Sequence, residues 1–218
     1  MPDIFSKLKE IPFGDFGNKR TVLEIGAADC GDTKSIMDAV GFVESDGFNY
    51  YAFEPDPDNI SEIRTLSTAS MSNFHLLELA VGNENRMAEF LRSSGFNENL
   101  HKEHRYSGSL KQPVIHLKEH PWCKFCESIQ VKMETLDSIV ARLNITSIDL
   151  IWCDVQGSED LVIAGGQKAF EMTRFFYTEF YNMEMYQGQL TDSQIIERLP
   201  GQWETAGKWA NDMLLKRL

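Results

Sequence analysis

Long apolar runs are missing from this chain: no stretch of its 218 residues could span a bilayer. The opening MPDIFSKLKEIPFGDFG also lacks the continuous apolar segment of a secretion signal, so a cytoplasmic protein with no membrane partner is expected. Cysteine is sparse. The four present read as free thiols rather than a disulfide framework. Basic residues are outnumbered, with 21 Lys and Arg against 33 Asp and Glu for a net charge of −12. That field repels a phosphate backbone and argues against general nucleic-acid binding; most of an acidic exterior serves solubility. Repeats, low-complexity tracts and Pro/Gly/Ser-rich linkers are absent as well. One well-buried domain over residues 1–218 is therefore expected, with residues 1–19 as an N-terminal extension.

What is present is an alternation of apolar strands and helical stretches, which predicts an α/β fold with a mostly parallel sheet covered on both faces. Strands are expected at residues 21–25, 49–53, 74–80, 87–91, 130–134 and 175–180, with another opening at Ile148. Helices are expected over 33–40, from 58, over 136–143 and over 158–170, and a hairpin-like tail pairs the segment around Trp203 with residues 212–218. Residues 93–128 are rich in polar and turn-forming groups and read as a long irregular excursion, a candidate lid.

Ligands of open α/β sheets bind at the carboxyl ends of the strands. That rule gathers GAADCG, EPDPD, CDVQGSE and TEF along one edge. The third is unusual: IDLIWCDVQGSE carries a buried strand to its end and plants Asp154, Gln156 and Glu159 there. Asp154 emerges from the core and is expected to face a cleft.

The first loop, Gly26-Ala27-Ala28-Asp29-Cys30-Gly31, follows a strand and precedes a helix as a nucleotide-binding turn does. A dinucleotide fingerprint needs glycine at its second place, where this chain has Ala28, and an acid follows at Asp29. A carboxylate beside a pyrophosphate is costly, whereas beside a sulfonium or an ammonium group it is favourable. S-adenosylmethionine carries both cations and no phosphate. Glu54, ending the second strand, is placed to accept hydrogen bonds from ribose hydroxyls; its alternative is a solvated turn acid.

The series VLEIGAADCGD, YAFEPDPDN, LELAVGN, SGSL, ETLDSI, IDLIWCDVQGSEDLVIAGG and YTEF resembles the FkbM-type family of S-adenosylmethionine-dependent methyltransferases over roughly residues 20 to 215. The last four motifs are the more specific; the first two occur across many Rossmann-like methyltransferases. The resemblance implies the class I fold, a seven-stranded mostly parallel sheet with an antiparallel final strand, and methyl transfer to oxygen. By motif, Glu24, Gly26, Ala27 and Asp29 would line the methionine part of the cofactor, Glu54 and Pro55 the ribose, and Ala80 and Val81 the adenine. Ser107 and Ser109 fall in a serine-rich segment near the cofactor, with Asp154 and Val155 at the same edge. Many members read D-V-E-G where this chain has Asp154-Val155-Gln156-Gly157, so Gln156 cannot act as a base and is expected to orient substrate.

A neutral sugar or alkyl hydroxyl is a poor nucleophile, and a positioned base contributes roughly 10²–10⁴-fold. Asp154 is the first candidate for that base and Glu179 the second; His101 and His104 qualify if their loop closes. The competing role for Asp154 is to cap a helix or to hold the methionine ammonium. Tyr181, Tyr186 and Gln187 are expected to be exposed beside the cleft, where rings and amides suit a carbohydrate, and family members often methylate sugar hydroxyls. His116, His120, Cys123 and Cys126 have zinc-ligand types and spacings, but the resemblance aligns them as an ordinary connector, so no metal ligand is assigned. Cys30 and Cys153 read as packing residues. Acids near Asp154 would suit Mg²⁺, which is not assumed. Two other readings stand beside the methyltransferase: a nicotinamide-dependent oxidoreductase, opposed by Ala28-Asp29, and a non-catalytic cofactor-binding module.

Overall fold

A computed structural model describes residues 3–11, 20–44, 47–98 and 101–218. In chain order the helices are α1 Ile4–Lys9, α2 Thr33–Val40, α3 Pro57–Ile63, α4 His116–Glu119, α5 Leu136–Arg142, α6 Glu159–Ala164, α7 Gln167–Glu171 and α8 Asp192–Arg198. The strands are β1 Arg20–Ile25, β2 Phe48–Phe53, β3 Phe74–Leu77, β4 Ala80–Gly82, β5 Arg86–Asn97, β6 Lys102–Glu103, β7 Cys123–Thr135, β8 Ile148–Cys153, β9 Thr173–Glu179, β10 Trp203–Trp209 and β11 Asp212–Arg217.

Seven strands form the main sheet in the order β10-β11-β9-β8-β1-β2-β3. The pairs from β3 to β9 are parallel, and β11 runs antiparallel to both of its neighbours. This is the class I methyltransferase arrangement, with the final strand reversed. Strand order turns back between β1 and β8, so their carboxyl ends frame the crevice where such sheets bind ligands. Alternation along the strands feeds two cores. Leu23, Ile25, Ile151, Cys153 and Phe176 pack towards α5, α6, α7 and α8, while Val22, Tyr50, Leu150, Trp152 and Tyr177 pack towards α1 and α2.

The expected N-terminal extension is in part a core element. Residues 1–2 and 12–19 of it lie outside the described residues, but Asp3 caps α1 by accepting from Ser6 N, Leu8 is buried, and Phe5 stacks on Trp152 at 5.7 Å.

Three sequence expectations change. The strand expected at 74–80 is two strands in two sheets: after β3 the chain turns, and β4 pairs in parallel with β7. The helix expected over 158–170 breaks into α6 and α7 at Gly165-Gly166, because α6 ends hard against β4. A Cβ on Gly165 would sit 2.0 Å from the Gly82 carbonyl oxygen. Most consequentially, much of the excursion expected at 93–128 is ordered as strand. β5 continues to Asn97 and β7 begins at Cys123, and they pair antiparallel in a second sheet of order β4-β7-β5-β6. Long-range pairing overrides local polarity here: one face of the ribbon buries Ala88, Phe90, Val131 and Met133, and the other carries the charges that suggested loop. The segment between the two long strands returns over the edge of the main sheet, tied to β5 by the Leu91–Ser109 bridge and to the chain after β9 by the Pro113–Tyr186 bridge.

Candidate active site

Three strand ends are stitched together at the crevice. Gly26 N and Ala27 N both donate to the Phe53 carbonyl at 3.0 Å, and Asp154 N donates to the Ile25 carbonyl at 3.0 Å. Gly26 has φ +88°, and a Cβ there would lie 1.9 Å from the Asp154 carbonyl oxygen, so no larger residue allows β1 and β8 to end so close. Left-handed backbone recurs at the non-glycine residues Ala28 (φ +50°), Cys30 (φ +61°) and Gln156 (φ +52°). Such geometry costs of order 1–3 kcal/mol per residue and persists only where the surroundings enforce it.

Three cavities open around these ends. The first is bounded by Glu54, Pro55, Asn59, Leu79, Ala80, Val81, Phe90 and Leu110, with Gly26, Asp154 and Val155 at its inner end. Its wall sets the apolar side chains of Leu79, Val81, Phe90 and Leu110 against the polar ones of Glu54, Asn59, Arg105 and Tyr106. The Glu54 carboxylate is buried and held rigid: Oε2 accepts from Ala28 N at 2.9 Å, and Oε1 from Asp56 N at 2.9 Å and Asn59 Nδ2 at 3.2 Å. Burial pushes Glu54 up to about 7 in spite of those donors. Asn59 Oδ1 is buried without a partner, an acceptor suited to a ligand that brings hydroxyl or amine donors.

The second cavity lies along the glycine loop and is lined by Gly26, Ala27, Asp29, Asp32, Tyr106, Trp152 and Asp154 among others, with no Lys or Arg on its wall among the described residues. A cluster of carboxylates without a cation suits an ammonium and a sulfonium and repels a pyrophosphate. Together the two cavities fit S-adenosylmethionine: Glu54 would hold the ribose, Asp29 would face the ammonium group, and Asp154 the sulfonium, a charge that S-adenosylhomocysteine lacks.

The third cavity is lined by Asn97, His104, Ser107, His116, His120, Trp122, Asp154, Gln156, Glu179, Tyr181, Met185 and Tyr186. Asp154 is on the wall of all three cavities. Burial raises its pKa, and Asp32 and Asp212 add to the rise, while the Gln156 amide, donating to Oδ1 at 2.7 Å, opposes it. Glu179 is raised further, by burial first and then by the Asp154 charge, against the Tyr181 hydroxyl that donates to Oε1 at 2.9 Å. Two carboxyls in one dry pocket divide their protons unequally. Asp154, with the amide donor, is the one that ionises first.

The family model for the methyltransferase FkbM domain matches residues 24–207. The chain belongs to the FkbM methyltransferase family. It is an S-adenosylmethionine-dependent O-methyltransferase, similar to the 2-O-methyltransferase NoeI of Sinorhizobium fredii (strain NBRC 101917 / NGR234), with 36% identity over 179 residues, 82% of this chain and 70% of the relative. Among solved structures it is similar to Aeropyrum pernix fibrillarin with natively bound S-adenosyl-L-methionine (TM-score 0.44, 11% identity, 97% of this chain and 71% of that one). A rRNA-methylase-like protein from Clostridium thermocellum is comparably distant (TM-score 0.43, 10% identity, 91% and 88%).

Most sequence-predicted residues of the methyltransferase meet at these cavities: Gly26, Ala27, Asp29, Glu54, Pro55, Ala80, Val81, Asp154 and Val155 line the first two. Others lie elsewhere. Glu24 lines none of the three; its Oε2 accepts from Thr33 Oγ1 at 2.7 Å and Tyr50 OH at 2.9 Å beneath the loop, where it braces α2. Ser109 is buried and donates to the Gln156 carbonyl at 2.8 Å, and Ser107 lines the third cavity, not the cofactor side. His101 is exposed and lines no cavity described here, whereas His104 lines the third and contacts Ser107 Oγ at 2.9 Å. Tyr186, expected exposed, is 2% exposed: its hydroxyl donates towards Gln156 Oε1 at 3.0 Å and the Ser107 carbonyl at 3.1 Å, so it is a floor of the cavity. Gln156 is likewise engaged with Asp154 and Tyr186.

Cys123 is buried and Cys126 exposed, and among the described residues no three His, Cys, Asp or Glu side chains converge on a metal position. His116 and His120, however, line the third cavity with Trp122, a role the spacing did not suggest. Tyr106, hydrogen-bonded to Asp29 and lining both cofactor cavities, was also missed, although it precedes the quoted SGSL motif by one residue; Asn59 closes the quoted YAFEPDPDN.

Proposed function

We propose that the protein methylates a hydroxyl of a sugar, in a glycan or a glycosylated metabolite, and that Asp154 removes the hydroxyl proton. The observation that carries this reading is the position of Asp154 on the wall of both cofactor cavities and of the third, where an acceptor would enter. S-adenosylmethionine, when bound, supplies an electrophilic methyl on a positively charged sulfur. The remaining work falls to this chain: to hold a hydroxyl in line with that methyl and to accept its proton as the oxygen–carbon bond forms and the carbon–sulfur bond breaks, the leaving group being neutral S-adenosylhomocysteine. The Asp154 carboxylate is held by the Gln156 side-chain amide at Oδ1 and by the Gln156 backbone N–H, which favour its ionised, proton-accepting form. Glu179, which retains its own proton longer, is suited to donate a hydrogen bond to the acceptor rather than to act as base.

A sugar is favoured by the composition of the third cavity. Trp122 and Tyr181 offer aromatic rings, while Asn97, His104, His120 and Glu179 offer hydrogen-bonding groups, and among the described residues no Lys or Arg lines it to select a phosphate. The relative named as a 2-O-methyltransferase agrees with an oxygen acceptor. Four free thiols suit a reducing compartment such as the cytoplasm. The test is incubation with isotopically labelled S-adenosylmethionine and an array of free sugars and glycans, read by mass. Label on a sugar oxygen is expected; label only on non-sugar hydroxyls presented in parallel would overturn the acceptor class.

A further inference from the structure

A polar chain runs under the third cavity from Tyr186 through Gln156 to Asp154. Every polar end of Gln156 is committed: Nε2 donates to Asp154 Oδ1 at 2.7 Å, Oε1 accepts from Tyr186 OH at 3.0 Å, and its carbonyl accepts from Ser109 Oγ at 2.8 Å. The residue keeps this pose with φ +52°, a conformation most side chains avoid. Its orientation is decided by both neighbours. With Oε1 turned to Asp154, two acceptors would face each other unless the carboxyl were protonated, and the phenol would keep only the Ser107 carbonyl as its acceptor.

We infer that Gln156 is a positioning residue, oriented by Tyr186, which fixes the Asp154 carboxylate through Oδ1 as the anionic acceptor for the substrate hydroxyl. The inference rests on Asp154 being the base. Asp154 interacts with the carboxyls of Asp32, Glu159, Glu179 and Asp212, the Cys153 thiol and the phenols of Tyr177, Tyr181 and Tyr186, and it shares the third cavity with His104, His116 and His120. The acids, when ionised, disfavour its charge, and the Gln156 side-chain donor stands against that set. A glutamate at 156 would join that set and lose the donor as soon as both acids ionise.

The test uses Gln156→Met, which keeps length and removes the donor, and Tyr186→Phe, which keeps the ring and frees the amide. The first readout needs no acceptor: carbon-13 NMR titration of the aspartate carboxyls, with the Asp154 signal assigned by its loss in Asp154→Asn. The Asp154 midpoint is expected to rise by about one pH unit or more in Gln156→Met and by less in Tyr186→Phe. The second readout is the pH profile of kcat on a sugar identified by the labelling screen. Its acidic limb should move up in the same order, with about tenfold lower kcat near neutrality and unchanged affinity for S-adenosylhomocysteine. Gln156→Glu should split the limb into two steps, as coupled acids do. A purely structural role would lower kcat at every pH without moving the limb. An Asp154 midpoint unmoved in both Gln156→Met and Tyr186→Phe would overturn the inference. Full turnover by Asp154→Asn would instead remove the base assignment itself, which separates the two failures.

Discussion

At the scale of single residues, the site works by over-determining a few groups. Glu54 illustrates it: three donors from Ala28, Asp56 and Asn59 spend most of its acceptor capacity before any ligand arrives, so what is left points one way. Glu54→Ala should weaken binding of S-adenosylhomocysteine by roughly 1.5–3 kcal/mol, the worth of hydrogen bonds to a charged group. Calorimetry would measure it, and unchanged affinity would take Glu54 out of the ribose site. The position of Asp29, Glu54 and Asp154 on cavity walls was legible because each is a polar residue placed near the end of an apolar run. The surroundings of Glu24 were not, because the sequence does not say which side of a loop a buried acid faces; here Thr33 and Tyr50 donate to it. Tyr186 looked like a surface aromatic, but Gly157 makes room for it, with the Tyr186 Cβ only 2.6 Å from where a Cβ on that glycine would lie.

At the scale of elements, the second sheet is the part of the fold that local pattern hid. The parallel strands β1, β2, β8 and β9 announce themselves as short apolar runs, whereas β5 and β7 are long, charged on one face and joined through pairs far apart in sequence. What gives them order is their fit to each other and to the cofactor edge. Arg92 on β5 reaches the EPDPD turn, where Nε and Nη2 bind both carboxylate oxygens of Asp56 at 2.7 and 2.9 Å, and the Asp56 amide in turn donates to Glu54. This pair is mostly buried, with side chains 17% and 5% exposed, so it is a stronger link than a surface ion pair. Arg92→Met should therefore lower S-adenosylhomocysteine affinity about tenfold through a residue that does not line the cofactor cavities, as well as lowering Tm. Unchanged affinity with a lower Tm would show that the ribbon stabilises the fold without tuning the cofactor loop.

At the scale of the whole molecule, acids dominate inside as well as outside. Burial raises Glu24 from 4.5 to about 8 and Glu54 and Glu159 to about 7. An acid whose folded pKa exceeds its unfolded value holds a proton in the native state that the unfolded chain has released. Its stabilising contribution is complete below the unfolded pKa and is lost as pH rises through the folded one. The unliganded protein should accordingly melt at steadily lower temperature as pH rises from about 5 to about 8, measured by calorimetry at constant ionic strength. Self-repulsion of a chain with net charge −12 would act in the same direction. Glu24→Gln separates the two, since it should flatten the slope while changing net charge by a single unit; an unaltered slope would assign the effect to surface charge.

The same concentration of acid defines the catalytic claim, because a cationic methyl donor and an ionised Asp154 suit one another where other cofactors would not. Asp154→Asn preserves size and the Gln156 contact position while removing the charge. The decisive measurement is turnover of Asp154→Asn against the wild type on one sugar acceptor at saturating S-adenosylmethionine, with S-adenosylhomocysteine affinity taken from the same preparations. The account predicts turnover lower by about 10²–10⁴-fold with affinity nearly unchanged. Wild-type turnover in the variant, or a loss that saturating cofactor restores, would contradict it.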